Sequence, residues 1–105
     1  MDKDGIYKQH IVDAIADIES YVADMAQERF ETNKLTQDAV IRKFQVIGEA
    51  AKRLSPKFKN NRAGIPWKKI SGMKDILIHD YFQVDLSLVW NTIKKELPVL
   101  KQKLK

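Results

Sequence analysis

The stretch Thr36-Gln37-Asp38-Ala39-Val40-Ile41-Arg42-Lys43-Phe44-Gln45-Val46-Ile47-Gly48-Glu49-Ala50-Ala51-Lys52-Arg53-Leu54-Ser55-Pro56 decides the fold class. Val40, Phe44, Ile47, Ala51 and Leu54 recur at steps of four and three, with Ile41 beside them. That spacing lines one side of an α-helix and predicts an amphipathic helix over residues 37–54. Thr36 is placed as its N-cap, where a hydroxyl accepts from a free backbone amide of the first turn. Ser55-Pro56 stops it, because proline disfavours helix in the preceding residue and suits a new first turn. Gly48 sits in mid-helix at a cost of about 1 kcal/mol relative to alanine, which predicts a second backbone packed close to it.

The same reading extends outward in both directions. Ile11, Ala14, Ile15, Ile18, Val22 and Met25 form one stripe and predict a helix over 6–26, with Asp13, Asp17 and Asp24 on another side. Residues 27–36 are polar and are read as a short turn or a single helical turn. Residues 57–66 are a basic connection ending in Gly64-Ile65-Pro66. Pro66 opens a short helix carrying Trp67 and Ile70, and Ser71-Gly72 interrupts it. Met73 to about Asp80 continues as another helical piece. Its run Ile76-Leu77-Ile78 is strand-like, but no partner strand occurs in the chain. Asp85 caps a last helix with Leu86, Trp90, Ile93, Leu97, Leu100 and Leu104 on its seam and Val89 adjoining. Pro98 is expected to kink it, since proline has no N–H for the carbonyl of Lys94. The sum is an all-α helical bundle in one domain, residues 1–105.

Composition narrows the function classes. The chain has no cysteine, which removes disulfide frameworks, thiolate metal sites and cysteine nucleophiles. Two scattered histidines and no cysteine argue against a transition-metal site. No apolar run approaches the ~20 residues of a membrane helix, and the acidic N-terminus is not a signal peptide. These features fit a cytoplasmic protein. There is no glycine-rich phosphate loop and no nucleophile elbow.

The net charge of +5 is unevenly spread. Residues 1–31 carry eight acids and three bases, whereas residues 42–74 carry ten bases and one acid, Glu49. Such a block inside a folded domain suits a polyanion partner, or else is a solvated basic face. The acidic third offers a match for the basic third of another subunit or partner protein. Trp67, Trp90, Phe44 and Phe82 have the chemistry to stack on bases, but their helical spacing makes them core.

The residues with chemistry cluster at 74–81. His10 starts the first helix in an acidic neighbourhood and is read as surface. His79 has Asp80 and Tyr81 after it and Lys74 and Asp75 shortly before. Imidazole takes up a proton near neutral pH, and a lysine can hold phosphate or developing negative charge. The ordinary alternative is a partly buried histidine at a helix end. Lys74 and His79 are five residues apart, ~140° around an ideal helix, while Lys74 and Tyr81 nearly eclipse. All three converge only if the helix ends near His79 or a dimer completes the site.

Taken together, Gln37-Asp38-Ala39-Val40-Ile41-Arg42, Ile47-Gly48-Glu49-Ala50-Ala51-Lys52-Arg53-Leu54, Ile65-Pro66-Trp67, Gly72-Met73, Leu77-Ile78-His79-Asp80-Tyr81-Phe82, Val84-Asp85-Leu86 and Val89-Trp90 resemble the HepT-like proteins of the HEPN superfamily. The resemblance covers most of the chain, in order and at natural spacing. It implies an up-and-down bundle of four to five helices that forms a homodimer. It implies the toxin of a type VII toxin–antitoxin pair, a metal-independent endoribonuclease with no cofactor. The family motif, Arg, four to six residues, His, one residue, Tyr, falls on Lys74, His79 and Tyr81. It makes His79 the catalytic residue, Lys74 the phosphate-steadying one, and Tyr81 the residue to which an MntA-like minimal nucleotidyltransferase antitoxin attaches AMP.

One position departs from the motif. Lys74 stands where the family has arginine, keeping the charge but losing the planar fork that grips phosphate. Asp75 adds an acid beside it. Glu49 matches the family's Gly-Glu pair and either lines the cleft or pairs with Arg53 at i, i+4. Arg42, Lys52, Arg53, Lys68 and Lys69 are the candidate RNA contacts. The expected function is an RNA-cleaving toxin silenced by AMPylation of Tyr81. The alternative is a non-catalytic HEPN module that binds, and is modified by, a nucleotidyltransferase. A DNA-binding regulator is a weaker third reading, since no helix-turn-helix pattern is evident.

Overall fold

The computed structural model describes residues 2–73 and 85–105. Among them the chain is helical, with no strand. In order, α1 is Lys3–Tyr21, α2 Gln27–Thr32, α3 Lys34–Arg53, α4 Pro56–Asn60 and α5 Trp67–Ser71. After residue 84 come α6 (Leu86–Asn91), a π-helical stretch (Thr92–Glu96) and α7 (Leu97–Lys103), running on as one helical rod. The all-α reading holds. The predicted piece from Met73 to Asp80 lies, beyond Met73, outside the described residues, as does Phe82.

The core is built from the stripes read in the sequence. Ile11, Ile15 and Ile18 of α1, Val40, Phe44 and Ile47 of α3, and Val89, Trp90, Ile93, Leu97 and Leu100 of the last rod are all buried. Phe30 of α2 is fully buried, with its ring centroid 5.4 Å from that of Trp90. Trp67 is half-buried against the core, and Gly48 is buried.

α1 and α3 form the most extensive helix pair. Three polar contacts give their direction. Asp4 meets Ser55, Tyr7 meets Arg53, and Asp17 meets Lys43 at 2.9 Å. Numbers rise along one helix as they fall along the other, so the pair is antiparallel. The rod closes on α1 through Lys101 and Glu19 at 3.1 Å, and on the loop before α5 through Lys103 Nζ, which donates to the Gly64 carbonyl at 2.9 Å. The Trp67 indole N–H donates to the carbonyls of Lys59 and Arg62, tying down the basic connection.

Helix ends show which local rules held. Ser55 Oγ accepts from the Phe58 amide at 3.1 Å and caps α4, with Pro56 in the first turn. Asp85 Oδ1 accepts from the Leu88 amide at 3.1 Å and caps α6, as expected. Thr36 is not the cap of α3. Asn33 is, its Oδ1 accepting from the Thr36 amide at 3.1 Å. Asparagine ranks above threonine at this position, so the helix starts one turn earlier. α1 ends at Tyr21 rather than near residue 26, and Ala23 and Met25 donate instead to Ser20 and Val22 in turns. Val22 stays buried, so the apolar stripe outlasts the helix.

Pro98 acts as a widened turn. The π stretch ends at Glu96, two residues ahead of it, and Pro98 then lies in the first turn of α7, where its missing N–H costs least. One turn back, Thr92 Oγ1 donates to the Leu88 carbonyl at 2.9 Å, a back-bond that also favours bending.

Asp4 joins α1 to the α3–α4 corner, accepting from the Ser55 amide at 2.8 Å and its hydroxyl at 2.6 Å. The hydroxyl bond first, and the amide bond second, hold the Asp4 carboxyl below its ordinary pKa. A depressed folded pKa contributes stability above the unfolded value, and that stability is lost as pH falls through the folded one. The melting temperature of the wild type should therefore drop below about pH 4 more steeply than that of Asp4→Asn, which no longer titrates there. Ser55→Ala removes the cap and the hydroxyl bond to Asp4, leaving the amide bond, and should cost about 1–2 kcal/mol. Phe30→Ala should cost about 3–5 kcal/mol in urea denaturation, against under about 0.5 kcal/mol for Leu35→Ala on the surface.

Candidate functional site

Lys74, Asp75, His79 and Tyr81 lie outside the described residues, and the structure describes the chain on either side of them. Upstream, α5 runs from Trp67 to Ser71 and is capped at Gly72. A Cβ at Gly72 would meet the Lys68 carbonyl oxygen at 3.3 Å, so a larger residue would crowd the turn that leads into Met73 and the motif. Downstream, the Asp85 cap starts α6.

The basic block is distributed over three helices and one connection. Arg42, Lys43, Lys52 and Arg53 are on α3, Lys57 and Lys59 on α4, Arg62 in the connection, and Lys68 and Lys69 on α5. Arg42, Lys52, Arg53, Lys68 and Lys69 are exposed. Arg42 and Arg53 share one side of α3 but stand about 16 Å apart along it at 1.5 Å per residue. Lys68 and Lys69 sit on a separate helix that packs against α3. The five candidate contacts thus make a broad basic surface rather than one tight cluster, which suits a backbone tracked over several phosphates better than a single anion.

Several of these cations are tied to partners. The hydrogen bond that Lys43 donates to Asp17 raises the Lys43 pKa and keeps the amine charged. Arg53 is held cationic chiefly by its hydrogen bond with Tyr7, with Glu49 adding to it. Glu49 lies 3.6 Å from Arg53 across one helical turn, both half-exposed or more. Lys69 pairs with Glu96 at 2.5 Å. Arg62 lies over the Phe58 ring at 4.1 Å. Part of the charge contrast between the two thirds of the sequence is therefore satisfied within the chain, across the α1–α3 pair.

The sequence reading overlooked Tyr7, Asp4 and Ser55. With Asp2, Lys3 and Arg53 they line an open depression at the α1–α3 end. Two long antiparallel helices place the start of one against the end of the other, and applying that rule would have brought Asp4 and Tyr7 to Arg53 and Ser55. His10 is exposed, edge-on to Tyr7 at 6.1 Å, as read. Among the described residues, no group of three His, Cys, Asp or Glu side chains is placed to hold a metal ion. No described helix is long and apolar enough to cross a membrane.

Comparison with known proteins adds a lineage to this geometry. The "Gamma-glutamylcyclotransferase and putative RNase" of Methanocaldococcus jannaschii is 46% identical over 99 residues, covering 94% of this chain. The chain spans only 45% of that relative. The "Probable ribonuclease HepT" of Thermococcus cleftensis is 42% identical over 97 residues, covering 92% of this chain and 88% of its own. No solved structure matches. The model of the family described as ribonuclease HepT-like matches residues 11–105, which take in α3, the basic block, the Lys74–His79–Tyr81 run and the last rod, and the chain belongs to that family.

Proposed function

We propose that the protein is an RNA-cleaving toxin of the HepT type, with His79 at the centre of its chemistry. The observation that carries this reading is the family match over residues 11–105, which includes the Lys74–His79–Tyr81 run. The exposed basic surface on α3 and α5 supports it, because an RNA backbone supplies the phosphates such a surface needs.

His79 takes the proton from a ribose 2′-hydroxyl, and that oxygen attacks the adjacent phosphorus. The bond from phosphorus to the 5′-oxygen of the next nucleotide breaks, that oxygen takes up a proton, and the upstream fragment keeps a cyclic phosphate. Lys74 supplies positive charge to the phosphate oxygens as charge builds there. The scheme asks for no metal ion and no cofactor. Tyr81, two residues from His79, is the acceptor of AMP from a minimal nucleotidyltransferase antitoxin of the MntA type. A phosphate ester at that position places negative charge where RNA must approach, which is a direct electrostatic block. The active form is a homodimer in the cytoplasm, and two copies of the basic surface then flank one RNA.

Lysine in place of the motif's arginine favours one competing reading, a non-catalytic module that binds the nucleotidyltransferase and presents Tyr81. Cleavage of a defined RNA by purified, antitoxin-free protein in chelator separates the two. Wild type should cut, with a rate falling steeply as salt rises. His79→Ala should lose about 10²–10⁴-fold, the usual worth of a general base. Lys74→Arg should cut at least as fast as wild type. Activity in Lys74→Arg alone would mark a disarmed relative, and no cleavage by any of the three would leave the binding module as the better account. With the antitoxin and labelled ATP, wild type should take up label and Tyr81→Phe should not.

A further inference from the structure

Two apolar hollows lie side by side along the C-terminal rod. One, of about 240 Å³, has Ile65, Ile70, Leu97 and Leu100 in its walls and Val99 on its lip. The other, of about 110 Å³, lies among Phe44, Leu88, Val89 and Thr92. They share Lys69, Met73 and Glu96, so the Lys69–Glu96 ion pair forms the saddle between them. Leu88 is 60% exposed and Val99 51%. Large apolar side chains scattered singly on a surface carry no message, but these two edge adjoining hollows on one element. They are eleven residues apart, about 16 Å at 1.5 Å per residue, the length of three turns of a second helix.

The charge lining the larger hollow is net positive, and the smaller hollow has only the Lys69–Glu96 pair. Lys69, Lys95 and Lys103 line the larger one, and its acid, Glu96, is already paired with Lys69. A nucleic acid would suit the lysines but not the walls, because Ile65, Ile70, Leu97 and Leu100 offer no stacking face and no hydrogen bond. An apolar peptide would suit the walls but leave the charge of Lys95 unanswered, and that of Lys103 met only by the Gly64 carbonyl. We infer that this surface docks an acidic amphipathic helix of a partner protein, its apolar side chains in the two hollows and its carboxylates facing Lys95 and Lys103. This is the helix-in-groove mode of recognition, with anchors at helical spacing and charge setting orientation. The inference stands apart from RNA cleavage, since none of its residues belongs to the Lys74–His79–Tyr81 run or to the candidate RNA contacts except Lys69.

The chain has no cysteine, so Val99→Cys and Leu88→Cys each accept one environment-sensitive dye. Leu35→Cys, at an 81% exposed position outside both hollows, is the control. The probe is a synthetic 15-residue helical peptide with leucines three and four apart and glutamates elsewhere. Dyes at 88 and 99 should shift to the blue and the dye at 35 should not. Affinity should fall at least tenfold when the leucines are scrambled, when lysines replace the glutamates, and in Lys95→Glu. Equal binding of the scrambled peptide, no shift at 88 and 99, or unchanged affinity in Lys95→Glu would each overturn the inference. Displacement by an equal length of oligouridylate would assign the surface to nucleic acid instead. A shift that appears on concentrating the labelled protein alone would assign it to a second copy. Each readout is independent of cleavage, so a dead nuclease does not affect the result.

Discussion

The burial of α1's apolar stripe against that of α3 is the most extensive helix contact of the described structure, and α5 is packed on the pair it forms. Fully burying one Ile or Phe side chain is worth about 1.5–3 kcal/mol, and Ile11, Ile15, Ile18, Val40, Phe44 and Ile47 all go under. An exposed ion pair such as Lys43–Asp17 contributes about 0–1 kcal/mol. The apolar faces therefore hold the pair together, while Asp4–Ser55, Tyr7–Arg53 and Asp17–Lys43 fix its direction and register. Once α3 is fixed, its outer side carries Arg42 and Lys52 to solvent, and α5 packs along it with Lys68 and Lys69 outward.

This arrangement changes the meaning of the charge asymmetry. Acidic residues 1–31 and basic residues 42–74 have opposite net charge, and the fold lays the helices that carry them side by side. Asp17 neutralises Lys43 within the chain, whereas Arg42, Lys52 and Lys68 remain on the exposed surface. The basic surface offered to a polyanion is smaller than the sequence tally suggests.

What was legible in the sequence follows the range of the interactions involved. The stripes of α1, α3 and the last rod were legible because periodicity is a property of one helix at a time. Asp85 was legible as a cap because it needs only its own next three residues, and Ser55-Pro56 was legible as a helix stop for the same reason. Thr36 was misread because Asn33, three residues earlier, offers the better acceptor. The end of α1 was misread because Val22 is buried through a turn, continuing the apolar pattern without the helix. Pro98 announced a missing donor, but only packing decides between a kink and a π turn. At the site, residue types alone gave an imidazole, an amine and a phenol within eight positions, and the family match places them in a ribonuclease lineage. Tyr7 beside Arg53 was missed because it is visible only when two helices some forty residues apart are laid antiparallel, not from either helix alone.

Met73 joins the two halves of the functional picture. It lines both apolar hollows on the C-terminal rod, and it is covalently bonded to Lys74, the first residue of the Lys74–His79–Tyr81 run. A helix seated in the hollows would rest on the residue from which that run departs. If RNA binds at that run, as proposed, the two binding events are coupled to whatever extent each alters the position of Met73. Such coupling is reciprocal: a partner that weakens RNA binding must itself be weakened by RNA to the same degree. On the proposed function, charge placed at Tyr81 and occupation of the shoulder at Met73 would be two separate routes to silencing, and the second would need no covalent change.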